Sequence, residues 1–436
     1  MDRAKPLELV RGIRRWDLVA LAINFTIGGG IFGLPSKVFS LSGPSSVIAY
    51  VICAGAVILI VLCFAEVGSR FTQTGGPYLY AREAFGPFIA FEVGWLRWLS
   101  GVASSAALGN LFADYLSYMW PAALAGPWRA LTITAVICSL TVVNVQGVRN
   151  VARVSNFLAL AKLLPLLLFI AAGLFFIHPR NFSAGPLPGY GTLSTSVLLL
   201  VYAFTGFESV AIPAGEVQEP QRNVPFALFA AIGVTTIIYV LIQVVCIGTL
   251  PELASSARPL ADASSRFLGP AGAWLIASGA MISIAGTIHG HILTSPRMLF
   301  AMAEQGQLPK ALAALHRRFL TPYISIVFSA IVILCFALSG TFIKMAAISV
   351  MTRLAIYIVT CVALPILRRK QSIGAATFTL PWGLVIPSTA IALCGWLLAN
   401  SNRHEAWLAA IAAGVGLLLY GAQRMRTPVQ SIHRNT

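Results

Sequence analysis

The chain alternates between long apolar runs and short polar connections, and this pattern predicts its secondary structure. Most of the apolar runs reach about the 20 residues that an α-helix needs to cross a hydrocarbon layer with its backbone hydrogen bonds satisfied internally. Gly-Pro and Ser-Gly-Pro turn signals separate many of the runs. The pattern predicts an all-α polytopic membrane protein with about twelve transmembrane helices. The predicted spans cover approximately residues 16–40, 44–68, 86–119, 128–147, 153–177, 191–216, 224–249, 270–304, 321–338, 341–366, 380–400 and 405–422.

Three consecutive glycines, Gly28, Gly29 and Gly30, interrupt the first predicted span within the stretch NFTIGGGIFGLP. Each glycine costs about 1 kcal/mol relative to alanine inside a helix. Backbone groups freed in a bilayer are tolerated only where protein or a water-filled cavity covers them. The stretch therefore indicates a binding site, in which the half-helix beginning near Ile31 points its positive dipole end at a carboxylate. The alternative is a run of small residues for close helix packing.

The sixth predicted span carries a second interruption in the stretch VYAFTGFES, which contains Gly206 and the acidic Glu208. A carboxylate in the middle of a membrane costs about 3 kcal/mol or more, so it indicates a functional position. Two broken spans, five helices apart, are typical of an inverted-repeat transporter whose site lies near the midplane.

These two breaks predict a five-plus-five inverted repeat with discontinuous first and sixth helices. The first repeat would cover about 16–177, the second about 191–366, and two accessory helices about 380–422. A six-plus-six architecture is the competing prediction. It normally has a long central loop, whereas the connection 217–223 is short.

Composition and charge agree with a membrane protein. The 436 residues are 58% hydrophobic and 10% charged, which is more apolar surface than a soluble protein of this length can bury. The formal charge of +16 falls mostly in short connections that alternate spans place on one side. By the positive-inside rule, both termini are expected on the cytoplasmic side of the cell inner membrane. This placement favours the lipid bilayer as a partner and argues against nucleic acid.

Seven cysteines lie within apolar runs without metal-ligand or disulfide spacing, so they are interpreted as small buried hydrophobes. The sequence shows no nucleotide-binding loop, metal-ligand cluster or nucleophile elbow. We therefore expect no cofactor, no metal and no enzymatic activity.

Four motif regions, in a family's order along the chain, carry a resemblance that covers nearly the whole sequence. They are Gly28–Phe32, Phe64–Phe71 with Gly75–Tyr78, Gly206–Ser209 with Gly215–Pro225, and Ser295–Ala303 with Thr321 and Pro322. In these motifs the chain resembles bacterial members of the amino acid–polyamine–organocation permease family. The resemblance implies an amino acid transporter with a leucine-transporter-like arrangement of the two five-helix repeats.

The resemblance also implies roles for the two unwound segments. Backbone carbonyls at Thr26, Ile27 and Tyr202–Thr205 would take the substrate ammonium, and the amides of Gly29 and Gly30 its carboxylate, since carbonyls suit cations and amides suit anions. The third and eighth spans would wall the pocket. The residues implied for substrate binding are Thr26, Ile27, Gly28, Gly29, Gly30, Ser100, Ser105, Tyr202, Ala203, Phe204, Thr205 and His291.

Lys162 is the candidate proton carrier. It follows Arg153, at the expected membrane edge, by nine residues, which places it about 13 Å into the bilayer. An ammonium removed from water gives up its proton more readily, which suits a proton carrier. In part of the resembled family a fifth-helix lysine takes the place of a sodium ion, with Thr287 a plausible neighbour here. Glu208 would support the unwound segment or take part in protonation, and a static Lys162–Glu208 ion pair is the alternative.

The sequence thus predicts secondary active transport of amino acids by alternating access, with proton symport preferred. The alternative is exchange of amino acids, or of an amino acid for its amine, which needs no titrating lysine. A transceptor without turnover is a weaker alternative, because the tails are short. The absence of an evident lone acid aimed at a substrate side chain favours neutral or small apolar amino acids, although Glu208 blurs this preference. The particular amino acid and the oligomeric state are left open.

Overall fold

The computed structural model describes residues 11–73, 75–146, 151–183, 189–319, 321–370, 374–401 and 403–426. Helices dominate this part of the chain, and its one β feature is an isolated bridge between Ile13 and Val217. The α-helices are α1 (Arg15–Thr26), α2 (Gly30–Ser42), α3 (Ser46–Gly68), α4 (Pro77–Phe85), α5 (Pro87–Leu116), α6 (Gly126–Gln146), α7 (Val151–Gly173), α8 (Tyr190–Phe204), α9 (Pro220–Thr249), α10 (Pro259–Phe267), α11 (Gly269–Glu304), α12 (Tyr323–Ser339), α13 (Phe342–Arg369), α14 (Val385–Ala399) and α15 (Arg403–Arg426).

Every predicted span corresponds to a helix or a broken helix. The first span is α1 followed by α2, and the sixth is α8 followed by a 3₁₀ turn over Phe207–Ala211. The remaining ten spans are α3, α5, α6, α7, α9 and α11 to α15. Within the described residues, six segments are long and apolar enough to cross a membrane, and four further apolar helices are shorter. The prediction of an all-α polytopic protein is confirmed.

Two short helices, α4 and α10, were not predicted as separate elements. Each has nine residues and begins with a proline, Pro77 in α4 and Pro259 in α10. Proline is favoured at a first helical position because its missing N–H has no partner there in any case. At this length neither helix crosses a membrane, so the hydropathy pattern did not reveal them.

The break in the first span falls at the predicted glycines. Helix α1 ends at Thr26, Ile27 leaves the helical conformation with ψ at 82°, and α2 begins at Gly30. The amide of Gly28 donates to the carbonyl of Thr26, at 2.9 Å, in place of a helical bond four residues back. The prediction of a discontinuous first helix is confirmed.

The break in the sixth span depends on Gly206. Helix α8 ends at Phe204, Thr205 is extended, and Gly206 has a φ of 113°, in the region that favours glycine. The chain then continues as the 3₁₀ turn Phe207–Ala211. The sixth helix is therefore discontinuous, as predicted.

The two breaks lie directly against each other. A Cβ added at Gly206 would lie 2.2 Å from the carbonyl oxygen of Phe25, and one added at Gly30 would lie 2.7 Å from the Cα of Ala203. Real side chains do not tolerate either distance. The glycines thus serve both the unwinding of each span and the close approach of the two backbones.

Helix α5 lies beside this crossing and packs against α4, α6, α11, α12, α13 and α15. The half-helix α1 packs against α7 and α9, and α2 packs against α8. The broken spans are thus enclosed by continuous helices, which shield their unpaired backbone groups from hydrocarbon.

We expect Gly206→Ala to destabilise the protein strongly. The added methyl group meets the Phe25 carbonyl and forces a non-glycine residue into a positive-φ conformation, at a combined cost of about 2–6 kcal/mol. Thermal unfolding in detergent should show a lowered melting temperature. Gly233→Ala is the matched control, because a Cβ there meets no atom within 4 Å. Equal melting temperatures for the two variants would contradict the close crossing of the breaks.

Candidate functional site

A buried cavity of about 20 Å³ lies between the two breaks. This volume is about what a single water molecule needs. The cavity is lined by Phe25, Thr26, Gly28, Gly29, Gly30, Ser104, Leu108, Tyr202, Thr205, Gly206, Ser209, Thr287, His291 and Arg353. These residues come from the two broken spans and from α5, α11 and α13, so the cavity lies where the five elements meet.

Most of the residues expected at the site line this cavity. They are Thr26, Gly28, Gly29, Gly30, Tyr202, Thr205, Thr287 and His291. At the start of α2 the amides of Phe32 and Gly33 donate to the Gly29 carbonyl, at 3.0 and 3.2 Å. The amides of Gly29 and Gly30 precede these bonds and lie at the cavity wall. The positive end of the α2 dipole is therefore available to an anion.

The cavity-facing side of α5 differs from the expected one. Ser100 exchanges hydrogen bonds with Ser349, and the Ser105 hydroxyl donates to the Gly101 carbonyl at 2.8 Å. Neither residue lines the cavity; Ser104 does, and its hydroxyl lies 3.2 Å from the Tyr202 hydroxyl. The sequence showed a run of small residues on this helix without showing which of them faces the broken spans.

Three other expected residues are neighbours of cavity residues along the chain. Ile27, Ala203 and Phe204 are buried, and none of them lines the cavity. The Phe204 ring packs against the ring of Tyr239, with centroids 5.2 Å apart. Ala203 forms the close approach to Gly30.

Tyr239 of α9 lies between carbonyls at both breaks, and its one hydroxyl proton can be donated to either of them. Its hydroxyl lies 3.0 Å from the carbonyl oxygen of Thr26 and 2.9 Å from that of Ala203. The Thr26 carbonyl also accepts from the Gly28 amide, and a carbonyl oxygen has two lone pairs. In this conformation a substrate ammonium reaches the Thr26 carbonyl only by displacing one of these donors.

Lys162 lies at the carboxyl end of the half-helix α1. Its ammonium donates to the carbonyl oxygens of Asn24 at 3.0 Å and Ile27 at 2.9 Å, and its side chain is 1% exposed. A cation is favourable there because the carboxyl end of a helix carries partial negative charge. Thr287, the expected neighbour, donates its hydroxyl to the Ser283 carbonyl instead.

Glu208 is held by three donors beside the second break. Arg353 of α13 forms an ion pair with it, Tyr357 donates to it at 3.0 Å, and the amide of Gly206 donates at 2.9 Å. Glu208 and Arg353 are each 1% exposed. Glu208 therefore pairs with Arg353, and the alternative of a static Lys162–Glu208 ion pair is not what the structure shows.

Arg353, Tyr239 and Arg97 were not identified as site residues from the sequence. Arg353 lines the cavity, Tyr239 joins the two breaks, and Arg97 of α5 donates to the cavity residue Ser209 at 3.0 Å. An arginine within an apolar span indicates a functional position, and this signal was available for Arg353 and Arg97. Nothing in the sequence marks Tyr239, whose role depends on the fold.

A polytopic helical protein with two spans unwound around a buried polar cavity belongs to the class of secondary transporters with discontinuous helices. The profile of the family described as amino acid permease matches residues 13–420. The chain belongs to this amino acid permease family.

Similar proteins in Bacillus subtilis (strain 168) carry transporter names. The chain is 29% identical to a methylthioribose transporter, over 96% of each chain. It is 27% identical to the branched-chain amino acid permease BcaP, over 95% of this chain and 93% of that one. It is 28% identical to the serine/threonine exchanger SteT, over 94% of this chain and 96% of that one. Family and relatives together support amino acid transport by a membrane-embedded, multi-pass protein.

We expect Glu208→Gln to destabilise the protein by about 3–5 kcal/mol, because it leaves the buried Arg353 charge without its counter-ion. The double variant Glu208→Gln/Arg353→Met removes both charges and should recover at least half of the loss in melting temperature measured in detergent.

Arg222→Gln is the matched control, because the Arg222–Glu219 pair is exposed and such pairs contribute about 1 kcal/mol or less. A double variant less stable than Glu208→Gln would contradict the buried ion pair as the reason for the loss.

Proposed function

We propose that the protein is a proton-coupled amino acid symporter that works by alternating access around the cavity between the two breaks. The observation that carries the proposal is the contact between Lys162 and the Asn24 and Ile27 carbonyls at the end of α1. It puts a titratable group in direct contact with the unwound segment whose next residues, Gly28–Gly30, line the cavity.

The geometry around Lys162 suits a group that gains and loses a proton. Two hydrogen bonds from its nitrogen are present, and a neutral amine has two N–H donors. Deprotonation can therefore keep both bonds while it removes the charge. Within the described residues no carboxylate forms an ion pair with Lys162, so no fixed partner holds the proton in place.

The size of the cavity supports alternating access. At about 20 Å³ the cavity does not admit an amino acid, so the substrate enters only when the broken spans and their neighbours separate. The half-helix α1 packs on α7, which carries Lys162. Protonation of Lys162 is thus positioned to bias the arrangement of the two helices.

We further propose the inverted repeat, with the first five spans over about 16–177, the second five over 191–366 and accessory helices over 380–422. The two breaks, five spans apart and in contact, support this division. The excess of basic residues in alternate connections supports a cell inner membrane location with both termini cytoplasmic.

Exchange is the second candidate function, because the relative SteT is named a serine/threonine exchanger. Proteoliposomes distinguish the two functions: symport accumulates substrate in empty vesicles, whereas obligate exchange requires internal substrate. A radiolabelled L-amino acid mixture is the first probe to use, because the family is described as amino acid permease. The methylthioribose transporter is named for a substrate without an amino acid backbone.

We expect Lys162→Met to abolish proton-driven accumulation. In empty proteoliposomes with an outside-acid gradient, the unmodified protein should accumulate amino acids about tenfold for each pH unit, if one proton accompanies each substrate. The variant should reach only the external concentration, because it carries no titratable group beside α1. Radiolabelled uptake with and without a protonophore measures the difference.

Lys344→Met is the matched control, because Lys344 is exposed on α13 and should keep full accumulation. Retained accumulation in Lys162→Met would refute the proton-carrier role. Uptake by the unmodified protein only in preloaded vesicles would replace symport with exchange.

A further inference from the structure

Arg97 on α5 is a buried cation without a counter-ion. Its side chain is 4% exposed, and its Nη2 atom donates to the Ser209 hydroxyl at 3.0 Å. Its Nε and Nη1 atoms are buried and have no hydrogen-bond partner in the described part of the protein. A charged group left unpaired in a protein interior is costly. Two donor nitrogens of Arg97, Nε and Nη1, are therefore available to a ligand.

Glu208 does not supply the missing partner. It is the nearby carboxylate whose charge acts on Arg97, and it is already held by Arg353, Tyr357 and the Gly206 amide. Two buried arginines thus lie beside one buried carboxylate. The surroundings of the cavity carry an excess of positive charge, which an anion would compensate.

Glycine at residue 101 leaves room for the Ser295 hydroxyl beside Arg97. A Cβ at Gly101 would lie 1.9 Å from the Ser295 hydroxyl oxygen and 3.8 Å from Arg97 Nη1. The Ser295 hydroxyl is also buried without a hydrogen-bond partner. Arg97 of α5 and Ser295 of α11 therefore place unused donors on either side of residue 101. Any side chain at residue 101 would displace the Ser295 hydroxyl.

Arg97 and the cavity share one face of α5. Arg97, Gly101, Ser104 and Leu108 follow each other at helical spacing, and Ser104 and Leu108 line the cavity. Leu108 contacts Gly29, next to the start of α2. The seven residues from Gly101 to Leu108 correspond to about 10 Å along the helix.

Two anion-binding points thus lie at different heights on the same wall. The leading amides of α2 suit a substrate α-carboxylate, and Arg97 with Ser295 suits a second carboxylate further along. An amino acid with a neutral side chain uses only the first point and leaves Arg97 unpaired. A dicarboxylic amino acid uses both.

We propose that the substrate class is acidic amino acids, with Arg97 and Ser295 binding the side-chain carboxylate and Gly101 leaving room for the Ser295 hydroxyl beside Arg97. This inference rests on the proposed amino acid transport. The sequence favours neutral amino acids instead, because it does not reveal that Arg97 is buried and has unused donors.

Binding of L-glutamate, L-aspartate, L-glutamine and L-asparagine to the purified full-length protein tests the proposal. Ligand-induced shifts in melting temperature in chloride-free detergent buffer give the affinities, and radiolabelled uptake into proteoliposomes gives transport. We expect each acid to bind about ten- to a hundredfold more tightly than its amide, as for a charge-assisted hydrogen bond.

Arg97→Gln should reduce this acid-to-amide ratio at least tenfold, and Gly101→Ala should reduce it as well. Arg297→Gln is the matched control: Arg297 is an exposed arginine on α11 that donates to the Leu293 carbonyl, and the ratio should not change. Size-exclusion profiles and melting temperatures without ligand identify any variant that fails to fold, and Ser295→Ala, a smaller change, then takes its place with a reduced ratio expected.

The outcomes separate this inference from the proposed function. Uptake of the amides but not of the acids would overturn the acidic substrate class and leave amino acid transport standing. Uptake of none of a full L-amino acid set would instead contradict the proposed function. If chloride restores binding of the amides and the acids do not bind, Arg97 holds an inorganic anion and the proposal is wrong.

Discussion

A helix that ends inside a hydrocarbon layer must find partners for its last carbonyls and first amides, since no water is there to solvate them. In this protein the side chains of neighbouring helices supply many of those partners. The Tyr239 hydroxyl joins the Thr26 and Ala203 carbonyls, Lys162 takes those of Asn24 and Ile27, and Glu208 accepts the Gly206 amide. These contacts stabilise both breaks. They also occupy carbonyls that the family resemblance assigned to the substrate ammonium, so under the proposed function substrate binding requires the unwound segments to rearrange.

The buried Glu208–Arg353 pair adds a second constraint. Ion pairs in a low-dielectric interior often contribute little net stability, because desolvation offsets their attraction. Here the pair has a geometric consequence: it connects the 3₁₀ turn of the sixth span to α13, which packs against α5. The unwound turn is thereby fixed relative to the wall of the cavity. Tyr357 and the Gly206 amide complete the coordination of the carboxylate.

The sequence was sufficient for features that depend on local chemistry. Apolar run length identified the predicted spans. Three adjacent glycines at 28–30, and Gly206 two residues before an intramembrane acid, identified both breaks. It was insufficient where the answer depends on which face of a helix meets which neighbour. Ser104, rather than Ser100 or Ser105, faces the cavity because of how α5 is rotated in the bundle. Tyr239 is an ordinary aromatic residue of a membrane helix until the fold brings two carbonyls to its hydroxyl.

Lys162 and Arg97 are both buried cations near the breaks, and the two proposals together have a consequence for the net charge of the interior. A proton on Lys162 adds positive charge to a protein interior in which Arg97 is already uncompensated. A zwitterionic substrate brings no net charge, so protonated Lys162 then increases the excess positive charge of the interior. The low dielectric makes this increase unfavourable. With an acidic substrate the additional carboxylate offsets the proton, so the loaded state carries no more net charge than the empty one. Proton and acidic substrate then favour each other's binding, and by linkage the effect is reciprocal. Proton symport and an acidic substrate class are therefore mutually consistent physically, whereas a neutral substrate would require the same chamber to hold a larger unbalanced charge.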